Sequence, residues 1–142
     1  MSRVLAVDWG TRRVGLAISD PSRRVARPLE TLILSTPGDA PERIAQLARH
    51  EQAALIVLGL PLTADGEERT SAGQVRRLGD ALRERGFEIA YVDERWTSEE
   101  ARELAIAKGE RRGDKGRLDQ LTALIMLQEY LDAAPRGDSG HA

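Results

Sequence analysis

The chain has 142 residues, enough for one domain with a real core. Hydrophobic residues make up 41% and charged residues 31%, and the formal net charge is −2; this reads as an ordinary globular protein in which phosphate binding has to come from local basic patches. Cysteine is absent and the histidines are His50 and His141, which excludes disulfides, thiolate zinc sites, cysteine nucleophiles and a His-rich metal site.

Residues 3–8 and 14–19 (RVLAVD and VGLAIS) are short apolar runs joined by WGTRR, the spacing of a hairpin. A third extended stretch, about Val25 to Leu34, follows the Asp20-Pro21-Ser22 turn signal, and Pro28 within it points to an edge strand. Asp39 with Glu42 has the spacing of a capping box for a helix with Ile44, Leu47 and Ala48 on one face. ALIVLGLP is continuously apolar, the pattern of a parallel strand buried on both faces. A helix is expected from about Glu68 to Arg85, closed by Gly86, followed by a fifth strand, FEIAYVDE. Thr97 and Glu100 form a capping box for a helix to about Lys108, the loop GERRGDKG follows, and a last helix runs from about Leu118 to Ala134. The order β-β-β-α-β-α-β-α-α predicts an α/β fold: a mixed five-stranded sheet, its first three strands antiparallel, with helices on both faces. Residues 1–134 form the expected domain, and 135–142 (PRGDSGHA) a disordered polar tail. No apolar stretch is long enough to span a membrane and Met1-Ser2-Arg3 leads straight into a strand pattern, so the expected location is the cytoplasm.

Three acids occupy similar places: Asp8 ends the first strand, Glu94 ends the fifth, and Asp119 falls at the second position of the last helix. Thr122, Ala123 and Met126 follow Asp119 at i+3, i+4 and i+7, so it belongs to a largely apolar helical face. Crowded carboxylates need a shared proton or a bound cation. Hard oxygen ligands suit Mg²⁺ or Mn²⁺, and such a site can activate water for phosphodiester cleavage with no histidine. Each acid also has a plain structural reading. Asp8 can close an Asx turn before Gly10, Glu94 can pair with Arg95 or Arg102, and Asp119 can complement the helix dipole.

AVDWGTRRVGLAISD, VLGLPLTADG, VDERWTSEEA and RLDQLTALIMLQEYLD, in this order from Val4 to Asp132, resemble the YqgF family of RNase H-like proteins. The resemblance implies an RNase H-like fold and a metal-dependent nuclease; members are described as pre-16S rRNA nucleases and as Holliday junction resolvases. Carried over by position, the family's catalytic and metal-binding acids fall on Asp8, Glu94 and Asp119, with Mg²⁺ or Mn²⁺ as cofactor. Trp96 and Ser98 depart from the family's commoner residues. Against the related RuvC-type resolvases, Gly116 stands where a second acid would precede Asp119 by one turn.

Basic residues gather beside two of these acids. Residues 12–27 hold Arg12, Arg13, Arg23, Arg24 and Arg27; residues 108–117 hold Lys108, Arg111, Arg112, Lys115 and Arg117, read as a mobile flap; Arg95 directly follows Glu94. Arg12, Arg13, Arg95, Lys108, Arg111, Arg112, Lys115 and Arg117 are the candidate contacts to a nucleic-acid backbone, with Arg13 first among them because it matches a basic position of the family's first motif. Each is equally a solvated surface charge when taken alone. Trp9 and Trp96 lie within two residues of an expected ligand, where they can stack on bases or pack at the rim of the core. His50 is expected at an exposed helix end with no chemistry. The expected partner is structured RNA or branched DNA, the expected state a monomer or weak homodimer. The rival readings are a sugar-kinase or actin-like ATPase, which also begins Asp-x-Gly-Thr in a hairpin but needs two such domains, and a non-catalytic nucleic-acid-binding module.

Overall fold

Strand β1, Arg3–Asp8, is apolar on both sides from Val4 to Val7, and all four residues are fully buried. A strand of this kind belongs in the middle of a sheet with both faces covered, and the computed structural model places it there. The structure describes residues 2–61, 66, 71–93 and 115–134, with the backbone alone for 115–119. Strands β1, β2 (Arg13–Ser19), β3 (Ala26–Ile33), β4 (Ala53–Leu60) and β5 (Glu88–Asp93) form one sheet in the order β3-β2-β1-β4-β5. β1 pairs antiparallel with β2 and β2 with β3, while β1–β4 and β4–β5 are parallel. The mixed sheet, its antiparallel opening and the edge position of the strand that carries Pro28 follow the expectation from sequence.

Helices α1 (Ala40–His50) and α2 (Ala72–Glu84) cover one face, and α3 (Lys115–Ala133) covers the other. The period of two divides β1 between them. Leu5 and Val7 join Ile44, Ala48, Leu78 and Leu82, whereas Val4 and Ala6 join Ala123, Met126, Leu127 and Leu131. Each large aliphatic side chain buried in this way contributes about 1.5–3 kcal/mol relative to its exposed state.

The expected capping box before α1 is not formed. Asp39 has helical dihedrals (φ −78°, ψ −12°) and makes no side-chain cap hydrogen bond, because a 3₁₀ turn, Pro37–Asp39, already leads into the helix. α2 begins at Ala72 in the described chain and ends before Gly86, whose φ of +98° suits glycine. The helix expected from Thr97 to Lys108 and the tail 135–142 lie outside the described residues.

One buried polar side chain closes the sheet at the far end from Asp8. The Val4 N–H donates to Ser19 Oγ at 2.8 Å, and that hydroxyl donates to the Asp20 carbonyl at 2.9 Å; Ser19 is fully buried. Ser19→Ala leaves the Val4 N–H without its partner in a dry place, at a cost of about 1–3 kcal/mol. Urea unfolding should show a lower midpoint with an unchanged slope.

Candidate active site at the carboxyl edge of the sheet

β1, β4 and β5 run parallel, so their carboxyl ends meet at one edge of the sheet, where the β1–β2 turn also lies. A row of paired residues, Leu29–Leu16–Val7–Leu58–Tyr91, crosses all five strands just below that edge. Asp8 is the next residue of β1, half-buried and opposite Gly15. It shares the parity of Val4 and Ala6, which gives it the α3 face. Asp93, the last residue of β5, shares the parity of Ile89 and Tyr91 and belongs to the other face. The carboxylate at the end of β5 is therefore not on the same side as Asp8, a distinction that proximity in sequence alone does not make.

Two glutamines on α3 fix how the helix crosses the sheet. Gln128 accepts from the Ala26 N–H and donates to the Arg24 carbonyl, each at 2.9 Å, and Gln120 donates to the Leu29 carbonyl at 2.8 Å. The helix thus runs antiparallel to β3 with its N-terminal end toward the edge where Asp8 lies. Position 119 directly precedes Gln120, which is tied to the row beneath Asp8, and stands one turn before Thr122 and Ala123, both buried against the sheet. The structure brings Asp8 and the backbone position of Asp119 to one edge and one face. Gln120 was not singled out by sequence; a polar residue beside Asp119 on a sheet-facing helix was the available signal.

The start of this helix corrects two expectations. α3 begins at Lys115, so Asp119 is its fifth residue rather than its second, and its first turn holds no acidic residue. The dipole reading of Asp119, which requires the first turn, is removed. Lys115, Gly116 and Arg117 are helical rather than part of a loop. Gly116 costs such a turn about 1 kcal/mol relative to alanine, which the docked apolar stretch behind it offsets. Glu94, Arg95, Trp96, Lys108, Arg111 and Arg112 lie outside the described residues.

The β1–β2 turn is held by backbone. A Cβ on Gly10 would run into the Arg13 carbonyl oxygen, so no side chain fits there, and the Leu34 N–H donates to the Arg12 carbonyl at 2.8 Å. Arg12 and Arg13 are exposed at the Asp8 edge. The other basic residues of segment 12–27 are not. Arg23 donates to the Ser2 carbonyl at 2.9 Å and to its hydroxyl at 2.8 Å, and Arg27 pairs with Glu51 at 3.6 Å, all at the opposite edge. There the Asp20 carboxylate organises the β2–β3 turn, accepting from the Ser22 hydroxyl and from the N–H groups of Val25, Arg24 and Ser22. These donors, led by the Ser22 hydroxyl, hold its carboxyl well below the ordinary carboxylate range. The basic cluster read from sequence is therefore two groups at opposite ends of β2, and only the first belongs with Asp8.

Trp9 shares the parity of Val7 and packs against the core beneath α1 and α2, its indole N–H donating to Gln74 Oε1 at 3.1 Å. His50 ends α1, exposed and at the edge away from Asp8. Among the described residues no three acids, histidines or cysteines converge as a metal-binding group. Asp8 offers carboxylate oxygens at this edge on the α3 face, the donor type that suits a hard divalent cation.

A family model described as "RuvX: Holliday junction resolvase" matches residues 2–133. Among curated proteins, a "Putative pre-16S rRNA nuclease" of Roseiflexus sp. (strain RS-1) is 40% identical over 135 residues, covering 92% of this chain and 94% of its own. One of the same name from Thermus thermophilus is 39% identical over 130 residues, covering 91% and 96%. Among solved structures, T. thermophilus RuvC in complex with a Holliday junction substrate superposes with a TM-score of 0.60 at 16% identity, covering 94% of this chain and 98% of that one. The last similarity bears on fold, which is RNase H-like.

Proposed function

The chain belongs to the RuvX family, matched over nearly its whole length, and from this membership we propose that it is a metal-dependent nuclease that hydrolyses phosphodiester bonds in the 5′-end processing of pre-16S rRNA. The observation that carries the reading is the meeting of Asp8 and position 119 at one edge and on one face of the sheet. Glu94, the next residue in sequence after β5, is the proposed third member, with Asp8 and Asp119, of a carboxylate set that binds Mg²⁺ or Mn²⁺. When bound, a divalent cation supplies a Lewis acid for the scissile phosphate and lowers the pKa of the attacking water. The chain's own part is to hold Asp8 on a central strand where its backbone cannot drift, to present Arg12 and Arg13 to the substrate backbone from the hairpin turn, and to keep the α3 face dry beneath the acids.

The rRNA reading is supported by the names of relatives that are 37–40% identical over more than nine-tenths of this chain. The second reading, cleavage of a four-way DNA junction, is supported by the description of the family model. Incubation with Mg²⁺ or Mn²⁺ of an RNA spanning the 5′ end of 16S rRNA, beside a four-way DNA junction, separates them. Cutting of the RNA but not the junction is expected; the reverse result gives the function to the second reading, and no cutting of either overturns the nuclease assignment.

Arg111 and Arg112 are proposed phosphate contacts. Arg111→Ala with Arg112→Ala should weaken binding to every sequence alike and flatten the dependence of log K on log salt by roughly one unit per lost contact. An unchanged salt slope would leave them as surface charges.

A further inference from the structure

On the face opposite α3, at the same edge as Asp8, a cavity of about 370 Å³ opens between the β1–β2 turn and helices α1 and α2. We propose that it holds an unpaired nucleotide of the substrate strand, adjacent to the one cleaved at Asp8; this rests on the nuclease reading and adds to it a subsite that selects single-stranded substrate. Its volume is at the lower end of ligand sites, which suits a single small planar group. Its lining includes the apolar Trp9, Pro37, Pro41 and Leu78, with the exposed polar side chains of Thr11 and Gln74. Trp9 packs against the core, and its indole N–H donates to Gln74, a second lining residue. Arg77 supplies the charge. It lines the cavity, its Nη1 lies 3.6 Å from a Cβ built on Gly73, and no described carboxylate pairs with it.

An aromatic surface with a guanidinium beside it is what a splayed-out nucleotide needs: the ring for the base, the cation for its phosphate. Placement supports the same occupant. Trp9 follows Asp8 directly in the chain, and because alternate residues of a strand point to opposite faces, the two side chains straddle the sheet edge. A strand whose phosphate lies at Asp8 can pass over that edge and drop its next base into the cavity. A cavity of about 370 Å³ has room for one base and not for a base pair, so a base still held in a duplex is excluded.

The test uses the full chain carrying Asp8→Asn, so that substrate survives, with fluorescence anisotropy of short labelled RNA and DNA single strands and of the matching duplexes. Arg77→Ala, and Thr11→Phe, which fills the cavity without altering charge, should each weaken single-strand binding about five- to tenfold and leave duplex binding unchanged within about twofold. Arg83→Ala removes the same charge from the same helix outside the cavity and should leave both alone. Equal losses on strand and duplex, or a loss for Arg83→Ala as large as for Arg77→Ala, would reduce Arg77 to general surface charge and overturn the proposal. Tighter binding of a free nucleoside monophosphate than of the strands would also overturn it, in favour of an effector site. The two readings fail separately: wild-type protein that cuts neither RNA nor junction, while strand binding by the Asp8→Asn protein needs Arg77, rejects the nuclease; normal wild-type cleavage with no effect of Arg77→Ala or Thr11→Phe on binding rejects the subsite.

Discussion

Asp8→Asn should lower the rate of cleavage at saturating substrate about a thousandfold or more while substrate binding changes little. A cation that stabilises charge at a phosphoryl centre is worth several kcal/mol in the transition state, and each 1.36 kcal/mol is about a factor of ten in rate. Asparagine keeps the shape of aspartate and removes the charge, so the fold should survive. If Asp8 belongs to a carboxylate set, the metal-free variant should be as stable as the wild type or more so, because one self-repelling charge has been neutralised. The expected pattern is a fall in kcat with KM nearly constant, the sign of an interaction made in the transition state. Normal cleavage by Asp8→Asn with Mg²⁺ or Mn²⁺ present would show that the site has been placed wrongly.

Asp119→Asn should cost activity on a similar scale, and its effect on stability decides why the acid is there. A carboxylate in the first turn of a helix stabilises by about 0.3–1 kcal/mol through the dipole. Asp119 is the fifth residue of α3, past the reach of that effect, so little is lost on this account. If it joins Asp8 and Glu94, its charge destabilises the metal-free protein, and Asp119→Asn should be neutral or stabilising there. With Mg²⁺ or Mn²⁺ added, the wild type should melt at a higher temperature, by mass action on the folded state, and the variant should show a smaller rise. A variant that is destabilised without metal, keeps the full metal response and cleaves normally would remove Asp119 from the site.

Most of the sheet was legible because its signals are local. β4 is continuously apolar and proved to be the parallel strand between β1 and β5, and the spacing of β1 and β2 proved to be a hairpin. Asp8 was legible as the end of a strand, whereas Asp119, expected at the second position of its helix, is the fifth residue of α3. What was not legible depends on distance and on neighbours. Arg12 and Arg27 look like one cluster in sequence, but a seven-residue strand at about 3.3 Å per residue carries the chain about 20 Å between them. The Asp39 cap was a correct pattern in the wrong backbone conformation, displaced by a 3₁₀ turn that no propensity signalled. The described helix takes in Lys115, Gly116 and Arg117 although glycine disfavours helix, a start that propensity did not signal. The cavity beside Trp9 needed three separate segments to be assembled, and nothing in the residues around Arg77 marked it.

The strand order has a consequence for the chain while it is being made. β1 sits at the centre of the sheet, with β2 added beside it almost at once but β4 only some forty residues later, and the face that carries Val4, Ala6, Ala17 and Val57 is covered by α3, the last described element. During synthesis that apolar face waits, uncovered, until nearly the whole domain has left the ribosome. Exposed apolar surface on an unfinished sheet is what chaperones capture and what drives aggregation. The edge that joins Asp8 to position 119 likewise does not exist until α3 docks. A nascent chain of this protein, still tethered among the RNA of the ribosome, therefore has its first acid long before it can have a site.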